Sequence, residues 1–134
     1  MKYLVDVNVL SEATRPAPNP RVIRWLRKHQ RELVLDPVIL GEIRFGIGCM
    51  PAGKKRKALE SWFEHGIANM EVLPWDAAVG LRWGTLLAEL RRHGKNMPVK
   101  DSLIAASALH HRLTIATRNT KDFATAGVPV VNPF

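Results

Sequence analysis

Short apolar runs alternate along this chain with stretches in which apolar residues recur every three or four positions. The first run, Lys2-Tyr3-Leu4-Val5-Asp6, reads as a buried strand that ends on an acid. Asn19-Pro20 opens a helix, with Asn as cap and Pro at the first helical position. On that helix Val22, Trp25, Leu26 and His29 share one face, and Arg21, Arg24 and Lys28 another. Residues 33–35 predict the next strand, and Asp36-Pro37 repeats the cap-and-proline signal for a helix to about Gly48. Residues 54–67 carry Leu59, Trp62 and Phe63 at helical spacing, and residues 71–73 form a short strand. Asp76 caps a long helix to Arg92, stopped by Gly94; Pro98 opens another over residues 99–111. Residues 113–117 and 128–131 read as the last strands. Strands alternating with amphipathic helices predict an α/β domain with a mostly parallel sheet. In such folds the functional crevice lies beyond the carboxyl ends of the strands.

At 134 residues the chain fits one domain, residues 1–134, with room for one sizeable core. No apolar run approaches the roughly 18 residues of a membrane span. The first strand meets Asp6 too early for a signal peptide's apolar stretch, so a cytoplasmic location without membrane contact is expected. Cys49 is the only cysteine, which excludes an intrachain disulfide and a thiolate zinc cluster. Among Ile47, Gly48 and Met50 it reads as a small core residue. The five histidines lack metal-ligand spacing, and His110-His111 suits the partial negative charge of a helix end. The net charge of +8 suggests a polyanionic partner, and solubility alone explains it about as well.

Several acids then need explaining. Asp6 stands at the carboxyl end of the first strand, where it either caps the next segment or faces the crevice. Glu42 interrupts a helix that is apolar almost all round, from Pro37 to Ile47. A buried carboxylate there is costly unless paired or metal-bound, and the alternative is a partly exposed Glu on a core helix. Asp101 lies in the first turn of its helix, where the helix dipole favours a carboxylate in any case. Asn119 and Asp122 follow the strand at 113–117 with capping-box spacing, which would also bring both to the crevice end. Together these residues lie beside strand or helix ends within reach of one crevice. Hard carboxylate oxygens without His or Cys suit Mg²⁺ or Mn²⁺, which activate water and neutralise charge on a scissile phosphate. An acidic pocket inside a basic surface points to hydrolysis of nucleic acid.

The assembled pattern resembles the PIN domain, specifically the VapC and FitB-type toxins of type II toxin–antitoxin modules. The segments that carry the resemblance begin with Tyr3-Leu4-Val5-Asp6-Val7-Asn8-Val9-Leu10-Ser11-Glu12 and Leu40-Gly41-Glu42-Ile43-Arg44-Phe45-Gly46. Lys100-Asp101-Ser102-Leu103-Ile104-Ala105-Ala106, Ile115-Ala116-Thr117-Arg118-Asn119-Thr120-Lys121-Asp122-Phe123 and the closing residues 127–134 complete it. The resemblance implies a three-layer α/β/α sandwich around a mostly parallel sheet. It implies Mg²⁺- or Mn²⁺-dependent endoribonuclease activity on RNA, a homodimer, and inhibition by a cognate antitoxin. It assigns Asp6, Glu42 and Asp101 as metal ligands, Asn119 as the fourth catalytic position and Asp122 as a helper one turn later. Two departures reduce the site: Val7 stands where the family usually has Thr or Ser, and Asn119 where many members have Asp. Glu12 is left outside the catalytic set.

Other functions fare worse. Phosphatases with an Asp-x-Asp pair after the first strand need an acid where this chain has Asn8, and no Gly-rich phosphate loop is present. The remaining rival is a PIN-fold binding module with little turnover, acting through dimerisation and antitoxin docking.

Overall fold

The computed structural model describes residues 1–134. Its elements run β1 (Tyr3–Val5), α1 (Val7–Glu12), α2 (Pro20–Lys28), β2 (Leu33–Val34), α3 (Pro37–Gly48) and α4 (Lys54–His65). They continue with α5 (Ala77–Arg92), α6 (Val99–His111), β3 (Thr114–Ala116), α7 (Thr120–Ala124) and β4 (Val130–Val131). The four strands form one parallel sheet in the order β2-β1-β3-β4, flanked by the seven helices in the expected α/β/α arrangement. Leu4 pairs with Val34 on one side and Ile115 on the other, and all three are fully buried.

Local chemistry sets most helix starts. The side chains of Asn19, Asp36 and Asp76 accept from the amides of Arg21, Ile39 and Val79 at 2.9, 2.9 and 3.1 Å. Each answers a donor that the first turn of a helix leaves unpaired. Gly94, with φ of 65°, takes the left-handed conformation just beyond α5, which a side chain would resist.

Four expectations need correcting. Residues 71–73 make only a single bridge, Leu35 to Val72, because Leu73 and Glu71 bond to Leu35 alone. On α3 only Ile39, Ile43 and Ile47 are buried, one line at a spacing of four, and Phe45 is 74% exposed. The helix is therefore sided, although its composition hides it. Cys49 at the end of that helix is exposed, two residues past the inward-facing Ile47, so it is not a core residue. Burial and the neighbouring His110 push the His111 imidazole down from its ordinary value, so this helix end does not favour charge on it.

One core cluster of 24 buried residues holds the layers together. Ala105, Ala106 and Ala108 are fully buried, and their small side chains let α6 lie close to its neighbours. The indole Nε1 of Trp83 donates to Ser102 Oγ at 3.0 Å, and Ser102 Oγ donates to the Val99 carbonyl at 2.6 Å. That chain ties α5 to the first turn of α6 and fixes where Asp101 stands. On α2 the face predicted to be apolar packs as an aromatic cluster, with Tyr3, Trp25 and His29 ring centroids 4.8 to 4.9 Å apart. Arg21, Arg24 and Lys28 are left exposed.

Candidate active site

The crevice is built where β1 and β3 end side by side. Asp6 follows β1 directly, is 7% exposed, and caps α1 through Oδ1, which accepts the Val7 amide at 2.8 Å. Its other oxygen accepts the Thr117 hydroxyl at 2.8 Å and the Asn8 amide at 3.1 Å. Capping and facing the crevice are therefore not alternatives, since each role uses its own oxygen. Asn8 reaches further, its Oδ1 accepting the Arg118 amide at 3.0 Å, and Thr117 Oγ1 accepts the Asn119 amide at 3.0 Å. Thr117 and Asn8 thus form the support of Asp6, and neither was singled out for it from the sequence. The available signal was Thr117's place at the end of a strand predicted to neighbour the crevice.

Glu42 comes from the middle of α3 with its side chain 22% exposed. One carboxylate oxygen accepts Lys100 Nζ at 3.0 Å; the other, Oε1, is buried without a hydrogen-bond partner. Burial raises the Glu42 pKa, Lys100 opposes that rise, and the negative charges of Asp6 and Asp101 add to it. Asp101, in the first turn of α6, is likewise raised by burial and by Asp6 and Asp122, against the pull of Lys100. Like charges at close range disfavour one another's ionisation. Asp6, Glu42 and Asp101 are thus brought into one field.

A fourth carboxylate stands behind them. Asp36 is fully buried, its Oδ1 spent on the cap of α3 and its Oδ2 without a partner. Desolvation pushes it up to about 6 against its backbone hydrogen bonds, and Glu42 and Asp6 contribute to the rise.

Asn119 and Asp122 lie further out. Both are exposed, and with Arg118, Thr120 and Lys121 they line a separate polar cavity of about 310 Å³. The capping box does not form: the Asn119 side chain makes no cap hydrogen bond, and only its carbonyl accepts from Asp122. Asp122 acts on Asp101 through charge, and Asn119 touches the inner site only through its amide on Thr117. Val7 lines a mainly apolar cavity of about 160 Å³ beside Glu42, with Ile43, Ile47, Leu59 and Trp62 among its walls. Glu12 is a scaffold residue, accepting the Asn19 amide at 2.8 Å and pairing with Arg15 at 3.3 Å.

A divalent ion fits this donor set in kind. The oxygens are hard, and buried Glu42 Oε1 lacks a partner. In the present arrangement no three acids close into a ready cage, and Glu42 is engaged by Lys100.

A family profile described as PIN domain matches residues 3–128. The chain is 38% identical to the toxin FitB of Neisseria gonorrhoeae over 98% of its own length and 97% of that protein's. It is 33% identical to the VapC ribonuclease Y4jK of Sinorhizobium fredii, covering 98% and 96%. The crystal structure of FitAcB from Neisseria gonorrhoeae superposes with a TM-score of 0.90 at 36% identity, covering 98% of this chain and 97% of that one.

Proposed function

The chain belongs to the PIN-domain family, and from that premise we propose that it is the toxin of a type II toxin–antitoxin module, an endoribonuclease that hydrolyses RNA phosphodiester bonds at the acidic crevice. The observation that carries this reading is the shared field of Asp6, Glu42 and Asp101, drawn from three separate elements to the ends of β1 and β3. A crevice that raises its own carboxylates is expensive to fold and makes sense where a cation is to be held.

Asp6, Glu42 and Asp101 would hold Mg²⁺ or Mn²⁺, which supplies an activated water and charge neutralisation at the phosphate when bound. Thr117 and Asn8 orient Asp6 by holding the oxygen not used in the cap. Asn119 and Asp122 border the polar cavity next to the crevice and would meet the flanking RNA. The exposed lysines of α4 (Lys54, Lys55 and Lys57) and the basic face of α2 would contact its phosphates. Arg56 is committed elsewhere, to Glu60 at 2.8 Å and the Met50 carbonyl at 3.0 Å. A cognate antitoxin and a second copy of the chain are the expected protein partners. No helix is long and apolar enough to cross a membrane.

The test is cleavage of pooled RNA by the parent and by Asp6→Asn, Glu42→Gln and Asp101→Asn, in Mg²⁺ or Mn²⁺ and in EDTA. Cleavage should need the ion and vanish in each variant; Glu42→Gln and Asp101→Asn should keep the parent's metal-free stability or exceed it, whereas Asp6→Asn also loses an acceptor for Thr117 and Asn8 and should melt earlier. Variants that melt early and still cut RNA would show these acids to be scaffold. A second reading, a PIN-fold module that acts by dimerising and docking an antitoxin, is favoured by the absence of a closed three-acid cage. It predicts RNA left intact at every metal concentration.

A further inference from the structure

Lys100 is the one cation that reaches into the crevice field. Its ammonium lies 3.0 Å from Glu42 Oε2, and its side chain is 53% exposed, with an open path to solvent. It precedes Asp101 in the first turn of α6, so the same helix turn delivers one acid and one base to the site. The other Glu42 oxygen stays buried and unpartnered, so the ion pair satisfies only half of that carboxylate.

We propose that Lys100 is the resident counter-cation of the crevice: it holds Glu42 in the metal-free protein and competes with a divalent ion for that carboxylate. The inference rests on the metal-binding reading above. Two observations carry it. The acids are in one field, yet no three of them are closed around a common point, and Glu42 is the one whose carboxylate is paired with a cation. The lysine is also half-exposed on a long flexible stem, so it can leave without disturbing the core. Lys100 thus acts as a positioning residue that sets the threshold of metal loading, and it keeps the charge of the empty crevice balanced.

The experiment titrates Mn²⁺ by electron paramagnetic resonance into the parent, Lys100→Gln, Lys100→Arg and Asp101→Asn, with thermal melts in EDTA and in Mn²⁺. An ion pair this exposed is weak, so Lys100→Gln should bind Mn²⁺ about fivefold more tightly. Lys100→Arg keeps the charge and should stay near the parent. Lys100→Gln should also melt earlier than the parent in EDTA and gain more from Mn²⁺, whereas a purely structural lysine would lower both melts alike. Unchanged or weaker Mn²⁺ binding by Lys100→Gln, or tightening by Lys100→Arg as well, overturns the proposal alone. A parent that binds no more Mn²⁺ than Asp101→Asn overturns the metal reading, and the role of Lys100 with it.

Discussion

Asp36→Asn should make the protein more stable at neutral pH, although it alters a fully buried group at the start of a core helix. Asn and Asp cap helices about equally well, so the hydrogen bond to the Ile39 amide can be kept. What changes is the charge. The folded protein holds this carboxyl near 6, against 3.8 for the free group. Between those values the folded chain binds more protons than the unfolded one, so its stability falls as pH rises through the window. A shift of that size corresponds to about 3 kcal/mol at neutral pH. Asn escapes that loss but leaves a buried amide group without a partner, as Asp36 Oδ2 now is. The net gain should be about 0–2 kcal/mol at pH 7.5, since an unpaired buried polar group costs roughly 1–3 kcal/mol. It should fall as the pH drops and become a net loss near pH 4, where the charge contribution is nearly gone and the cost of the unpaired amide remains. Urea melts of both proteins in EDTA, taken at intervals from pH 4 to 8, measure the difference directly. A difference that does not vary with pH, or an Asn variant weaker than the parent at pH 7.5, would refute the reasoning. The second result would mean that the charge on Asp36 is held by a partner and contributes to the folded state.

Thr117→Val removes a buried hydroxyl that donates to a carboxylate and accepts an amide. It should cost about 1.5–3 kcal/mol in a denaturant melt, with Thr117→Ser close to the parent. Val7→Thr should leave metal dependence of RNA cleavage unchanged, because Thr117 already gives Asp6 its hydroxyl; a rise in activity confined to limiting metal would refute this. Replacing Lys54, Lys55 and Lys57 by Gln should weaken RNA binding and flatten the log–log salt slope by about 2, at roughly 0.7 per single-strand phosphate contact. An unchanged slope would assign those lysines to solubility.

The amino-acid sequence by itself determined where most elements begin and end. Asn19-Pro20, Asp36-Pro37, Asp76 and Gly94 act on amides or backbone angles within three residues, so local chemistry decides them. It also indicated which acids to weigh, because a carboxylate at a strand end or on an apolar helix stands out against its neighbours. It hid α1, whose six residues are too few to show a period, and it over-read residues 71–73 and Cys49. The rest was decided by tertiary structure. Thr117 supports Asp6 across 111 positions, and Lys100 engages Glu42 across 58. Such pairs leave no local pattern, since the sheet order and the packing of α3 beside α6 set their distance. The failed capping box at Asn119 has the same cause: its amide is drawn to Thr117 Oγ1 at the end of β3, and its side chain is left facing a polar cavity. Spacing along a chain fixes what a residue can bond to locally, and only the assembled sheet decides which of the competing bonds it makes.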